Sequence, residues 1–199
     1  MKSYSIGIDI GGTNTGFGLV DEKGNIISTT SIFTKDFDIV EAYLDEIVNH
    51  IILLIERCED KSLIKGVGIG APNGNYYHGT IEHAPNLKFS GIIHVKEYIE
   101  TKLKGKGYDL KVTLTNDANA AAIGEMIYGG AKGIKNFIMI TLGTGVGSGI
   151  VVDGKVVYGA DGFAGEVGHT IVQPEGRMCG CGRRGCVETY SSVTGLRKT

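Results

Sequence analysis

Apolar positions follow two rhythms along this chain, short runs broken by glycine and one long stretch at helical spacing. Tyr4 to Asp9 is a short apolar run that predicts a strand, and GGTNTG at 11–16 predicts a turn. Phe17 to Val20 predicts a second strand, and DEKGN at 21–25 a turn into a third. From Ile39 to Ile55 the residues Ile39, Val40, Tyr43, Leu44, Ile47, Val48, Ile51 and Ile55 recur at the spacing that lines one face of a long amphipathic helix. Gly66 to Ala71 reads as a buried strand stopped by Pro72, and Val112 to Thr115 as another. Asn116 and Asp117 then cap an alanine-rich helix, Ala118 to Tyr128, which Gly129 and Gly130 close.

The opening pattern returns. IDIGGTNTGFGLVDEKGNII at 8–27 is matched by ITLGTGVGSGIVVDGKVV at 140–157, each an apolar strand, a glycine-threonine turn, an apolar strand, an acidic-glycine turn and a strand. Such a repeat implies two related lobes, an N-terminal one over 1–117 and a partial C-terminal one over 118–199. Strand and helix alternate between the two copies, so the fold class is α/β.

Composition changes this picture in a few places. The 32 glycines are roughly twice the ~7% of average usage, with no collagen period and no low-complexity tract. A formal charge of -2 gives no footing for nucleic acid. Met1 to Asp9 lacks the apolar core and small-residue cleavage site of a secretory signal, and the longest greasy run, Ile51 to Ile55, is too short to span a bilayer, so a cytoplasmic protein with no membrane partner is expected. In that reducing compartment, clustered cysteines point to metal or redox chemistry rather than to structural disulfides.

Three stretches carry candidate chemistry. The glycine turns Gly11-Gly12-Thr13 and Gly143-Thr144-Gly145 through Gly147 can aim successive backbone N–H groups into one concavity that suits phosphate oxygens, with Thr13 and Thr144 as hydroxyl donors. Glycine-rich hairpin turns also occur with no ligand, and recurrence is what favours binding here. Asp9, ending the first strand, is useful beside a phosphate only if a cation such as Mg²⁺ lies between them. No Walker A pattern occurs, and GVGIGA at 66–71 is no dinucleotide site because Pro72 stands where a helix must begin. Asn116-Asp117 at a strand end fits an N-cap, and it equally fits a carboxylate kept ionised by the helix dipole and able to accept a hydroxyl proton. Last, His169, Cys179, Cys181 and Cys186 offer one nitrogen and three sulfurs, the donor set of a closed structural zinc site, although a C-x-C step is tighter than the usual C-x-x-C. Arg177, Arg183 and Arg184 are placed to offset the net negative charge of such a cluster. Cys58 reads as a small buried hydrophobe.

Taken together, DIGGTNTG, NDANAAAIGE, LGTGVGSGIVVDG, GEVGH and CGCGRRGCVE, in this order and spacing from about Ile6 to Glu188, resemble the ROK family of sugar kinases and sugar-responsive repressors. The resemblance implies a two-lobed, actin-like (ribonuclease H-like) ATPase fold with sugar and ATP in its cleft, its second lobe incomplete in this chain. It implies ATP-dependent phosphorylation of a hexose hydroxyl, glucose by preference, with N-acetylhexosamines and other hexoses as alternatives. Gly11, Gly12, Thr13, Gly143, Thr144, Gly145 and Gly147 would hold ATP phosphates, Asp9 would support Mg²⁺, and Asp117 would be the general base. Asn116, Glu166, His169 and Glu188 would bind the sugar, with Gly74 and Asn86 contributing from the first lobe. Zn²⁺ would be structural, fixing the loop 169–186, with His169 serving both metal and sugar.

Many members of the family carry lysine where Asn14 stands and glycine where Asn73 stands, and they continue beyond the zinc motif, whereas this chain stops at Thr199. It is therefore expected to lack a C-terminal part and to be inactive by itself if that part is essential. A noncatalytic sugar-binding protein related to the repressors is the alternative reading. A repressor would need a helix-turn-helix ahead of the first turn, where a strand already begins at Tyr4. Family precedent implies a homo-oligomer, a dimer or tetramer.

Overall fold

The structure is a computed structural model that describes residues 2–198. It divides into two compact units, Met1–Asp117 and Ala118–Thr199.

The first unit is built on a sheet that opens with a meander. β1 (Tyr4–Ile10) pairs antiparallel with β2 (Asn14–Asp21), and β2 with β3 (Ile26–Phe33). The first turn is shorter than GGTNTG suggests, only 11–13, because Asn14 and Thr15 already pair with Phe33 and Ile32. Thr15 is polar in a buried strand, and its hydroxyl is paired there with Thr34 Oγ1 at 2.9 Å and with the Tyr43 hydroxyl at 2.6 Å. Burial pushes Tyr43 up to about 12, so it stays a neutral member of this network.

Helix α1 (Val40–Glu56) buries Tyr43, Leu44, Ile47, Val48, Ile51, Leu54 and Ile55, each worth roughly 1.5–3 kcal/mol when removed from water. Ile39, expected on this face, is instead the extended residue before the helix and is 63% exposed. Its carbonyl accepts from the Tyr43 N–H, the duty of a cap rather than of a core side chain. β4 (Ile64–Ala71) lies parallel to β1, and the short strands β5 (Gly74–Asn75), β6 (Thr80–Glu82) and β7 (Ile92–Ile93) form a small separate sheet. Helix α2 (Val95–Gly105) follows, with Val95, Ile99 and Leu103 buried, and β8 (Val112–Asn116) completes the main sheet in the order β3-β2-β1-β4-β8. Cys58 is buried against this core, as a small hydrophobe.

The second unit repeats the meander. β9 (Phe137–Leu142), β10 (Val146–Val152) and β11 (Lys155–Val156) form an antiparallel three-stranded sheet, and the β9–β10 turn, 143–145, has the same three-residue length as the β1–β2 turn. Helix α3 (Asp117–Ile127) ends where Glu125 takes both the Gly129 N–H on its carbonyl and the Gly130 N–H on its carboxylate, at 3.1 and 2.7 Å. α3 packs closely on β10: a Cβ on Gly149 would lie 2.7 Å from Ala122 Cβ, and one on Gly147 would lie 3.0 Å from Ala118 Cβ. The unit closes with a long loop and two single turns of helix, α4 (Glu188–Ser191) and α5 (Val193–Leu196). Among the described residues no helix is long and apolar enough to cross a membrane.

Candidate functional site

In the first unit the candidate residues collect where parallel strands end. Asp9 in β1 pairs with Gly70 of β4, and Asn116 in β8 with Ala71 of β4, so Asp9 and Asn116-Asp117 flank one central strand. Two strand spacings separate β1 from β8, roughly 10 Å. Partial burial raises the pKa of Asp9 above its ordinary 3.8, and the nearby negative charge of Asp117 raises it further. A cation would relieve that repulsion. Asp117 opens α3 and carries its carboxylate at the helix N-terminus, as the dipole favours.

The turn Gly11 to Thr13 begins one residue beyond Ile10 and is closed by the Gly11 N–H donating to Asn14 O at 2.9 Å. Gly12 has a steric reason to be glycine: a Cβ there would run into the backbone carbonyl of Asn86. The phosphate candidate and the Asn86 loop are thus in backbone contact. Gly74 is likewise pressed against the Thr115 carbonyl at the end of β8, where no side chain fits. Asn73 sits at φ 50, a left-handed conformation that glycine or asparagine tolerates, and its Nδ2 donates to Glu82 O at 2.9 Å and to His83 O at 3.3 Å. Its amide braces β6.

In the second unit the cysteine loop is a small bridged hairpin. Met178 and Arg184 pair, the Cys179 N–H donates to Arg183 O, and Gly182 and Gly185 take φ of 84 and 79 that only glycine adopts readily. This folding brings the donor atoms of His169, Cys179, Cys181 and Cys186 all within 4.8 Å of one another. Cys181 and Cys186 sulfurs are 3.7 Å apart, and His169 Nδ1 is 3.5 Å from Cys179 Sγ. A tetrahedral zinc with ordinary bond lengths needs S···S of about 3.8 Å and S···N of about 3.5 Å. The donor set fits that ion, and these two donor pairs stand at its spacing.

Charge around the cluster is arranged differently from the sequence expectation. Burial pushes the Cys179 thiol up to about 12. Burial opposes ionisation of Cys181 too, but hydrogen bonds from the Arg183 backbone and side chain and from Cys179 and Cys186 together outweigh it and bring that thiol down to about 6. Of the arginines near the loop, it is Arg183 whose hydrogen bonds to a cluster sulfur are seen. Arg177 donates instead to the carbonyls of Thr189 and Gly195, at 3.0 and 2.9 Å, and lies over the Tyr190 ring, while Arg184 donates to Gly176 O. Those two guanidiniums hydrogen-bond carbonyls in and around the loop.

The acidic residues around His169 face different partners. Glu166 Oε2 lies 3.8 Å from His169 Nε2, while Glu188 Oε1 lies 4.0 Å from Nδ1 and 3.4 Å from Cys179 Sγ. The other oxygen of Glu188 accepts the Val146 N–H at 3.2 Å, so this carboxylate touches both the cysteine cluster and the β9–β10 turn. The Glu188 carboxylate reaches into the space beside Gly145. Sequence reasoning missed the residues on the far side of the turn. Val193 N–H donates to Gly143 O at 2.9 Å and Thr194 Oγ1 to Thr144 O at 2.6 Å. The signal was the capping pattern Ser192 to Gly195, in which the Ser192 hydroxyl accepts the Gly195 N–H.

A sequence profile of the ROK family matches residues 5–199. The chain belongs to the ROK family. It is 42% identical to a glucokinase of Streptomyces coelicolor over 193 residues, 96% of this chain and 57% of that protein. It is 33% identical to a xylose repressor of Bacillus spizizenii over 204 residues, 98% of this chain and 50% of the repressor. Among solved structures, a ROK glucokinase from Streptomyces griseus in complex with glucose and AMPPNP superposes with a TM-score of 0.82 at 38% identity, covering 98% of this chain and 59% of that one. The fold is therefore the α/β actin-like ATPase fold of ROK sugar kinases, and the chain spans a little over half the length of these relatives.

Proposed function

We propose that this ROK chain carries the sugar-handling and phosphate-handling residues of an ATP-dependent hexose kinase, with glucose as the preferred acceptor, acting in the cytoplasm. The observation that carries the reading is the pair of carboxylates Asp9 and Asp117 at the ends of β1 and β8, the first beside a glycine turn and the second at a helix start. In this reading the Gly11–Thr13 and Gly143–Gly147 turns hold ATP phosphates through backbone N–H groups. Asp9 binds the Mg²⁺ that offsets phosphate charge. Asp117 accepts the proton of the sugar hydroxyl as its oxygen bonds to the γ-phosphorus and the bond to ADP breaks, a step dominated by positioning and charge stabilisation. Asn116, Glu166, His169 and Glu188 hydrogen-bond the sugar, with Asn86 and Gly74 at its edge. Zinc at His169, Cys179, Cys181 and Cys186 takes no part in the chemistry and holds the loop between Glu166 and Glu188 in shape. The whole protein works as a homo-oligomer.

The similarity to a xylose repressor keeps a sugar-sensing role in view, and one experiment separates the two. An ADP-release assay is run over hexoses and N-acetylhexosamines, on this chain and on a version extended to the length of its relatives. Calorimetric sugar binding is measured in parallel. Sugar-dependent ADP release, lowered about 10²–10⁴-fold in kcat by Asp117→Asn with sugar binding retained, supports the kinase reading and the base. Full activity in Asp117→Asn refutes the base. Sugar binding with no ADP release on any acceptor moves the protein to the sensor class.

A further inference from the structure

The clamp on the β9–β10 turn points to a link between the metal cluster and nucleotide handling. Gly143 O is held by the Val193 N–H and Thr144 O by the Thr194 hydroxyl. Since Thr194 gives its one proton to Thr144, the neighbouring Ser192 hydroxyl, 3.2 Å away, must donate to Thr194 while accepting the Gly195 N–H at 3.0 Å. A directed chain of hydrogen bonds thus runs from the first turn of α5 to the glycine turn, through Ser192, which is 1% exposed. On its other flank the turn is tied by Val146 N–H to Glu188. The carbonyls are drawn to one side, and the N–H groups of Thr144 and Gly145 find no acceptor among the described residues. A turn held in this way presents bare amides, as an anion site requires.

The same segment grows directly out of the cysteine cluster. Cys186 O accepts both the N–H and the hydroxyl of Thr189, at 3.0 and 2.7 Å, and Glu188 O accepts the Ser192 N–H at 3.2 Å. The hydrogen bonds that reach the turn from Glu188, Val193 and Thr194 thus come from the segment that directly follows Cys186, and Glu188 itself touches Cys179. We propose that the segment Glu188 to Thr194 couples metal occupancy of the Cys₃His cluster to the order of the Gly143–Gly147 turn, with Thr194 as the positioning residue. The link is reciprocal: metal binding pre-forms the turn, and an anion held by the turn tightens the hold on the metal.

Hydrogen exchange of the hydrogen-bonded turn amides, Gly143 N–H to Gly145 O and Val146 N–H to Glu188, tests this on the 199-residue chain, loaded with one equivalent of zinc or stripped by chelator, with amides of α1 as the reference. Zinc loading should slow exchange of the turn about three- to tenfold, the worth of one or two ordinary hydrogen bonds. Thr194→Val should restore fast exchange while keeping its zinc, and Thr194→Ser, which retains the hydroxyl, should remain slow. Turn exchange that is the same with and without zinc overturns the proposal. So does a Thr194→Val chain as protected as the parent. If stripping zinc also opens α1, the Thr194→Val and Thr194→Ser pair decides with zinc in place. A kinetic arm rests on the kinase reading: in the extended protein Thr194→Val should raise KM for ATP several-fold with KM for the sugar unchanged. Absence of turnover refutes that reading and leaves the exchange result to stand by itself.

Discussion

Gly149 offers the most direct test of how the second unit is packed. It is buried in β10 beneath α3, and a Cβ there would lie 2.7 Å from Ala122 Cβ, 2.9 Å from the Ala118 carbonyl oxygen and 3.3 Å from Asn119 Cα. Carbon atoms pack comfortably at about 3.5–4.0 Å, so Gly149→Ala requires α3 and β10 to part by roughly 0.8 Å or more. None of the three obstacles is a flexible side chain that can swing aside. Overpacking of this kind costs about 1–3 kcal/mol. In a unit of this size each kcal/mol lowers Tm by about 4–8 °C, so thermal unfolding followed by far-UV circular dichroism should show a loss of roughly 5–20 °C. Ala122→Gly by itself costs about 1 kcal/mol in helix propensity, yet it removes the closest obstacle. The double variant should therefore be less destabilised than the two single effects added together. Because α3 begins at Asp117, displacing it by near 1 Å also moves the proposed base, and in the extended kinase kcat should fall by up to ~100-fold. A Gly149→Ala chain melting within a degree of its parent refutes the packing argument, and with it the assignment of this glycine to helix contact.

Two further outcomes follow from the sites. The cluster should bind one zinc per chain when purified without chelator, with metal–sulfur distances near 2.3 Å by X-ray absorption, and Cys186→Ser should lose most of the metal. Metal analysis showing none removes the site. Asp9 has its pKa raised above 3.8, by burial first and by Asp117 second, so the fold favours its protonated form: the stability it contributes is present below 3.8 and is lost as pH rises through the raised value. Asp9→Asn should then stabilise the magnesium-free protein at neutral pH, and Asp117→Asn should shift the Asp9 titration downward when followed by carboxyl ¹³C NMR. An Asp9 titration unmoved by Asp117→Asn means that the two charges do not sense each other.

Much of the fold was legible because burial and period coincide. α1 carries seven buried side chains at helical spacing, and β4 and β8 are short apolar runs that end at a proline and at an Asx pair. α2 was missed because its buried face is a single stripe, Val95, Ile99 and Leu103, set among lysines and glutamates that dilute the periodic signal. The strands β5 to β7 are two or three residues long, below the length at which alternation can be seen. The start of β2 was misplaced because Thr15 reads as a turn residue, and only the hydroxyls of Thr34 and Tyr43, distant in sequence, make it a core residue. The four cluster residues were recognisable from donor type alone. Which arginine faces them was not, since a guanidinium finds carbonyls as readily as thiolates, and that choice is made by the path of the chain.

The glycine turns show why a motif can point to a site and still be misread residue by residue. LGTGVGSG looked like one phosphate device, but its glycines answer to different neighbours. Gly145 yields space to Glu188, Gly147 to Thr141 and Ala118, and Gly149 to Ala118 and Ala122, while a Cβ on Gly143 would meet nothing. Gly147 and Gly149 have α3 close against the backbone, whereas Gly145 meets only the tip of the Glu188 side chain. Their shared consequence is still functional in kind. A helix that approaches β10 this closely fixes the strand, while Val193 and Thr194 hold the carbonyls of the turn and Glu188 holds the Val146 N–H. What is left is a pair of amides, Thr144 and Gly145, with no acceptor among the described residues. In the proposed reading the anion-binding character of this turn arises from packing on its other side, which is why a change at Thr194, away from any phosphate, is expected to be felt there.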